Sequence, residues 1–239
     1  MKLAKNRPVT IVIIGAGGTG GYVIPHLYRI AFTSGRPCRI IIADGDIVER
    51  KNLIRQNFAE CDIGENKAEV MAERYSEVFG IETEYIPDFI ESEEQLCELL
   101  DVRGRWNESK PIGILIGAVD NNRSRVMCHN VFQKLDDIIY IDAGNGEYTG
   151  QVVCGVKQSG KVISKPVARV YPEILTDIEK FPSELSCAER SISAPQSIAA
   201  NLFASTAVAT MLYYLLIEGD LKTNRMTFSS RRLLMKAAA

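Results

Sequence analysis

The chain has 239 residues, 24% of them charged, and a formal net charge of −2. That length is enough to close one sizeable core. The near balance of charge excludes the basic excess of a general nucleic-acid binder, so an anionic ligand has to be held by a local cluster and no nucleic-acid partner is expected. In chain order, the first apolar run flows straight into a glycine motif, lacks a small-residue cleavage site, and reads as a strand over 9–14 rather than a signal peptide. Periodicity then predicts a helix over 18–32, a strand at 39–44, a helix over 66–79, a strand near 82–87 and a helix near 92–102. A strand at 112–118, a helix over 122–134 and a strand at 138–142 follow. This alternation predicts an α/β fold with a doubly wound, mainly parallel sheet, helices on both faces, and ligands at the carboxyl ends of the strands.

Beyond Asp142 the pattern changes. Residues 150–164 read as a hairpin turning through Gln158, Ser159 and Gly160, the start of an antiparallel C-terminal extension. Residues 165–195 contain four prolines and little periodicity, and read as a long crossover loop on the surface. The segment 197–217 has the length of a membrane span, yet Asn201, Ser205, Thr206 and Thr210 interrupt it, so a buried helix and no membrane association are expected. A last strand is expected at 225–229. Six cysteines, at 38, 61, 97, 128, 154 and 187, form no C-x-x-C pair, which predicts no structural zinc and fits the reduced thiols of a cytoplasmic protein.

Two stretches carry chemistry. GAGGTGG sets Gly15, Gly17, Gly18 and Gly20 between a predicted strand and a predicted helix, where glycines let the backbone approach a phosphate at the helix N-terminus. That turn is Rossmann-like and would equally serve NAD, whose ribose hydroxyls bind an acid at the end of the next strand, the place of Asp44. The stretch ADGDIVERKNLIRQ, residues 43–56, contains more than a ribose needs: Asp44 and Asp46 lead to Asn52, Arg55 and Gln56, and Lys67 opens the next helix. Cations and planar donors suit a triphosphate. Asp120, just past the apolar run GILIGAV, could hold Mg²⁺, which takes one or two carboxylates plus phosphate oxygens. Together these strand-end charges favour ATP chemistry. An NAD(P)-dependent oxidoreductase leaves Arg55, Gln56, Lys67 and Asp120 unused, and a noncatalytic adaptor that keeps the fold as a binding surface is the third reading.

The order and spacing of GAGGTGG, DGDIVERKNLIRQ, GENKAE and AVDNNRSR resemble the ThiF/MoeB family of adenylating enzymes, related to the ubiquitin-activating enzymes, closely over 8–155 and loosely beyond. The resemblance implies a single adenylation domain over 1–239, with a nucleotide-binding core at 1–145 and the extension, crossover loop and C-terminal helix at 146–239. It implies ATP and Mg²⁺ as cofactors. The glycines, Asp44 and Asp46 would belong to the nucleotide site, with Asp44 on the ribose, Asn52, Arg55, Gln56 and Lys67 on the phosphates, and Asp120 serving Mg²⁺ and the adenylation step. The implied reaction joins the C-terminal glycine carboxylate of a small ubiquitin-like or sulfur-carrier protein to the α-phosphate and releases pyrophosphate. No general base is required, because a carboxylate is already nucleophilic.

By the same resemblance, Cys187 in the crossover loop is a candidate acceptor thiol for a thioester or for sulfur transfer, and a homodimer is expected. Many members carry two C-x-x-C pairs for zinc; this chain has none. Several also carry an N-terminal helix whose arginine enters the partner's site. Only seven residues precede Pro8, so either that arginine is lost, another such as Arg123 or Arg125 substitutes for it, or a partner protein supplies it.

Overall fold

The computed structural model describes residues 7–101, 111–177, 179–184 and 196–238. Five parallel strands come first: β1 (Val9–Ile14), β2 (Cys38–Ala43), β3 (Glu82–Ile86), β4 (Ile112–Gly117) and β5 (Ile138–Asn145). Antiparallel β6 (Thr149–Gln158), β7 (Lys161–Ser164), β8 (Arg225–Ser229) and β9 (Leu234–Ala237) extend the same sheet. Its order is β3-β2-β1-β4-β5-β6-β8-β9, with β7 and β8 sharing the far edge of β6. The Rossmann-like mixed sheet expected from the alternating pattern is therefore present.

Period-two alternation decides which side chains meet which helices. On β1, Ile11 and Ile13 face one core with α1 (Gly20–Ser34), α2 (Lys67–Phe79) and α6 (Ile198–Tyr213), while Val12 and Ile14 face the other with α3 (Glu93–Leu100), α4 (Asn122–Lys134) and the short α5 (Val167–Val170). Both faces are covered, which is why β1 and β4 are apolar at almost every position. Helix starts are set by side-chain caps: Asn66 accepts from the Ala68 and Glu69 amides, Asn121 from Ser124, and Ser197 from Ala200. The hairpin between β6 and β7 turns on Ser159 and Gly160, both at positive φ, the two-residue turn whose twist suits adjoining strands.

Some expectations are corrected. Residues 165–184 are not purely a surface crossing, because Val167, Ala168 and Ile174 are buried in the α4-side core. Strand β9 escaped notice, as RRLLMKAAA shows neither alternation nor a turn signal, and β5 runs three residues further, to Asn145, than the strand expected at 138–142. Helix α6 continues through a π-helical turn at Tyr214–Glu218. The span Ile198–Glu218 is long and apolar enough to cross a membrane, and 56% of its most apolar window is buried inside the protein; α6 contacts α1, β5 and β6.

A buried ion pair joins α4 to β5. Asp142 is 1% exposed; its Oδ1 lies 3.4 Å from Arg125 Nε, and its Oδ2 accepts from the Tyr140 hydroxyl at 2.8 Å. Burial pushes the Asp142 carboxyl up, opposed by Arg125 and Tyr140. Removing the cation leaves an uncompensated buried charge, so Arg125→Met should lower the unfolding free energy by about 3–5 kcal/mol. Adding Asp142→Asn should restore most of that loss in equilibrium denaturation. A single variant as stable as the parent would show the pair to be dispensable.

Candidate active site

The crevice opens where β1 and β4 lie side by side and their following helices diverge to opposite faces, the place where open α/β sheets bind ligands. The glycines there are sterically dictated. Gly15 has φ +91°, and a Cβ on it would stand 2.5 Å from the Ala118 carbonyl oxygen. A Cβ on Gly20 would stand 1.8 Å from the Gly15 carbonyl oxygen. Only glycine lets α1 begin so close to the strand end, and the first turn of α1 carries no acidic side chain to compete with an anion.

Asp44 follows β2 and is buried. Its Oδ2 accepts from the Ala16 amide at 2.6 Å and its Oδ1 from the Asp46 amide at 2.9 Å, so the carboxylate is held against the glycine turn with lone pairs left for a hydroxyl. Burial pushes its carboxyl above the ordinary aspartate range, opposed by Lys67 and by the two amides. Lys67 is buried too, and its Nζ pairs with Asp46 Oδ2 at 2.8 Å. The Asn66 Nδ2 donates to the carbonyls of both Asp44 and Asp46, fastening the loop after β2 to the start of α2.

The NLIRQ segment is shaped by Asn52. Its buried side-chain oxygen accepts from the Glu49 amide at 2.9 Å, and its carbonyl accepts from the amides of Arg55 and Gln56, closing a 3₁₀ turn over Arg50–Ile54. That turn brings Arg55 and Gln56 back over the glycines. The Gln56 amide lies 3.7 Å from where a Gly17 Cβ would be, and Arg55 Nη1 lies 3.0 Å from where a Gly18 Cβ would be. Gln56 Oε1 is buried without a hydrogen-bond partner.

Asp120 is exposed two residues beyond Ala118, the residue that abuts Gly15. Among the described residues no group of three or more His, Cys, Asp or Glu side chains could hold a metal. One exposed carboxylate suits an ion that takes its other ligands from phosphate and water. Of the two stand-in arginines, Arg125 is committed: besides Asp142 it donates to the Val119 carbonyl at 2.7 Å and to Asn122 Oδ1 at 3.0 Å. It cannot reach a substrate without uncovering Asp142. Arg123 stacks over the Phe181 ring, 4.8 Å from its centroid. Cys187 lies outside the described residues. Residues Thr19, Asn145 and Asn201, which line the back of the glycine turn, were not foreseen; no motif marks them.

A model of the ThiF family matches residues 2–238. The chain belongs to the ThiF family. Similar solved structures agree in fold. The microcin C7 biosynthetic enzyme MccB in complex with N-formylated MccA is 18% identical, with a TM-score of 0.68 over 98% of this chain and 64% of that one. E. coli MccB with ATP is likewise 18% identical, with a TM-score of 0.66 over 98% of this chain and 64% of that one. PaaA is 16% identical, with a TM-score of 0.67 over 96% of this chain and 63% of that one. The chain thus spans just under two thirds of the length of these structures. No curated protein matches the sequence.

The position of Asp44 makes a pH prediction. If Asp44 takes the ribose, as the resemblance implies, only the ionised carboxylate could accept from two ribose hydroxyls while keeping both amide bonds, and its raised pKa moves protonation above the range near ~3.9 of a free aspartate. ATP affinity should therefore weaken on acidification sooner than an ordinary aspartate would allow. Asp44→Asn should weaken binding about tenfold at neutral pH and remove that part of the acid response. Calorimetric titration of parent and variant across the acid range checks it; parallel pH curves would take the ribose away from Asp44.

Proposed function

We propose that this chain is an ATP-dependent adenylyltransferase that activates the C-terminal carboxylate of a polypeptide. The observation that carries the reading is the delivery of Arg55 and Gln56 onto the Gly17–Gly18 turn by the Asn52-anchored 3₁₀ turn. A dinucleotide needs Asp44 and the glycines but not a guanidinium over the phosphate cradle, so this geometry favours ATP over NAD.

In the proposed reaction a carboxylate oxygen forms a bond to the α-phosphorus while the bond to the bridging oxygen of the β-phosphate breaks. The products are an acyl adenylate and pyrophosphate. Two anions have to meet and negative charge grows on the leaving group, so the contribution of the protein is alignment and positive charge already in place. Arg55 offers a planar fork to the departing phosphates. Lys67 lies buried between the ribose acid and the phosphate side and would shift from Asp46 to a phosphate oxygen. Asp120 would hold Mg²⁺, and the ion would neutralise charge on the phosphate oxygens. The partner class is a small ubiquitin-like or sulfur-carrier protein with a C-terminal glycine or, by analogy with the MccB complex with N-formylated MccA, a peptide.

Helix α6 and its continuation leave Ile198, Leu202, Tyr213 and Tyr214 exposed, and contiguous exposed apolar surface marks interaction sites. We read it as a homodimer face; sedimentation at micromolar concentration giving only monomer would remove that assignment.

The central test is pyrophosphate exchange. Arg55→Ala should lower ATP-dependent exchange at least about a hundredfold, the scale of a lost transition-state donor, with an unchanged melting curve because Arg55 lies outside the core clusters. Near-parental exchange would defeat the phosphate role of Arg55.

A further inference from the structure

Helix α6 belongs to the C-terminal part of the chain, yet its first turns reach the glycine loop. Asn201 is fully buried, in a helix whose other buried positions are almost all apolar or small. A buried amide in such a setting is destabilising unless its nitrogen and oxygen are hydrogen-bonded. They are. Its Nδ2 donates to the Arg55 carbonyl at 3.2 Å, and its Oδ1 accepts from Asn145 Nδ2 at 3.0 Å. Asn145 Oδ1 in turn accepts from the Thr19 hydroxyl at 3.0 Å.

The same amide explains Gly18. A Cβ there would stand 2.5 Å from Asn201 Nδ2 and 3.0 Å from Arg55 Nη1. Asn201 therefore touches the glycine turn on one side and the backbone of Arg55 on the other, while Thr19 is tied to the same network at the start of α1. Gln196, just ahead of α6, accepts from Arg55 Nη1 at 2.9 Å. An aliphatic side chain would fill the space and make none of these bonds.

Resting on the proposed triphosphate site, we propose that Asn201 is a positioning residue that fixes Arg55 relative to the Gly17–Gly18 turn. On this view α6, as well as the Rossmann-like core, sets the preference of the site for a nucleoside triphosphate over a monophosphate. Asn201 touches no reacting atom; it acts through Arg55.

The test compares the full chain with Asn201→Ala and the isosteric Asn201→Asp, which loses the donor to the Arg55 carbonyl, in case the alanine variant fails to fold. Affinities for a non-hydrolysable ATP analogue and for AMP are measured by calorimetry. In a folded variant the analogue should bind about tenfold more weakly while AMP is unchanged. Adding Arg55→Ala should cause little further loss, because both changes remove one function. An unchanged preference for the triphosphate, an equal loss for AMP, or full additivity with Arg55→Ala would overturn the proposal.

Amide hydrogen exchange without nucleotide gives a second readout. Residues 17–21 and 52–57 should both exchange faster in the variant, and unchanged exchange in either would also overturn it. A parent that binds neither nucleotide would defeat the adenylation reading itself, with hydrogen exchange still deciding whether Asn201 fixes the two loops.

Discussion

The site depends on a contact that admits no side chain. The Ala118 carbonyl approaches Gly15, and the Gly15 carbonyl approaches Gly20, at separations where any Cβ would overlap. Because β1 and β4 can end so close together, α1 and α4 start from neighbouring points and leave to opposite faces of the sheet. The crevice between them is a consequence of topology, and the glycines set how near a ligand can come to backbone amides. Everything placed around it, from the Asp44 carboxylate to the Arg55 guanidinium, is positioned relative to that turn.

Two buried carboxylates, Asp44 just after β2 and Asp142 within β5, are held differently. Asp44 is satisfied by the amides of Ala16 and Asp46 with Lys67 close by, so its charge is stabilised by groups that belong to the site itself. Asp142 relies on Arg125 and the Tyr140 hydroxyl. The first is held by backbone amides of the glycine turn and of the loop after β2, the second by side chains of α4 and β5. That difference separates an acid fixed at the glycine turn from one that ties α4 to β5, and it also explains why Arg125 is not free to act as a substitute arginine finger.

Much of this was legible in the sequence for a local reason. In ADGDIVERKNLIRQ the acids, the capping asparagine and the arginine–glutamine pair lie within one loop, so spacing alone carries the chemistry. The strand runs β1 and β4 are equally plain, because burial on both faces leaves them continuously apolar. The network of Thr19, Asn145 and Asn201 was not legible. Its members are 126 and 56 residues apart, and each is a common polar residue with no local partner. Asn201 was visible only as an interruption in an apolar run, with no sign of what the amide meets. Val167, Ala168 and Ile174 were hidden by the opposite problem: too few apolar residues to set a period, between prolines that suggest an open loop.

Helix α6 is fastened at both ends, which bears on how the C-terminal half takes part in the site. At its start the Ser197 hydroxyl donates to the Glu147 carbonyl and Asn201 to that of Arg55; at its far end Arg36 Nε donates to the Leu216 carbonyl at 3.0 Å. These bonds tie the backbone of Arg55 to the start of the helix. The guanidinium is held differently, by the neutral Gln196 oxygen. A phosphate oxygen is the stronger acceptor for a guanidinium, since the hydrogen bond then joins two charges. On the adenylation reading, the triphosphate would replace Gln196 at Arg55 while Asn201 keeps its bond to the backbone. The triphosphate would then release Gln196 from Arg55, so nucleotide binding and the residue just ahead of α6 compete for one guanidinium.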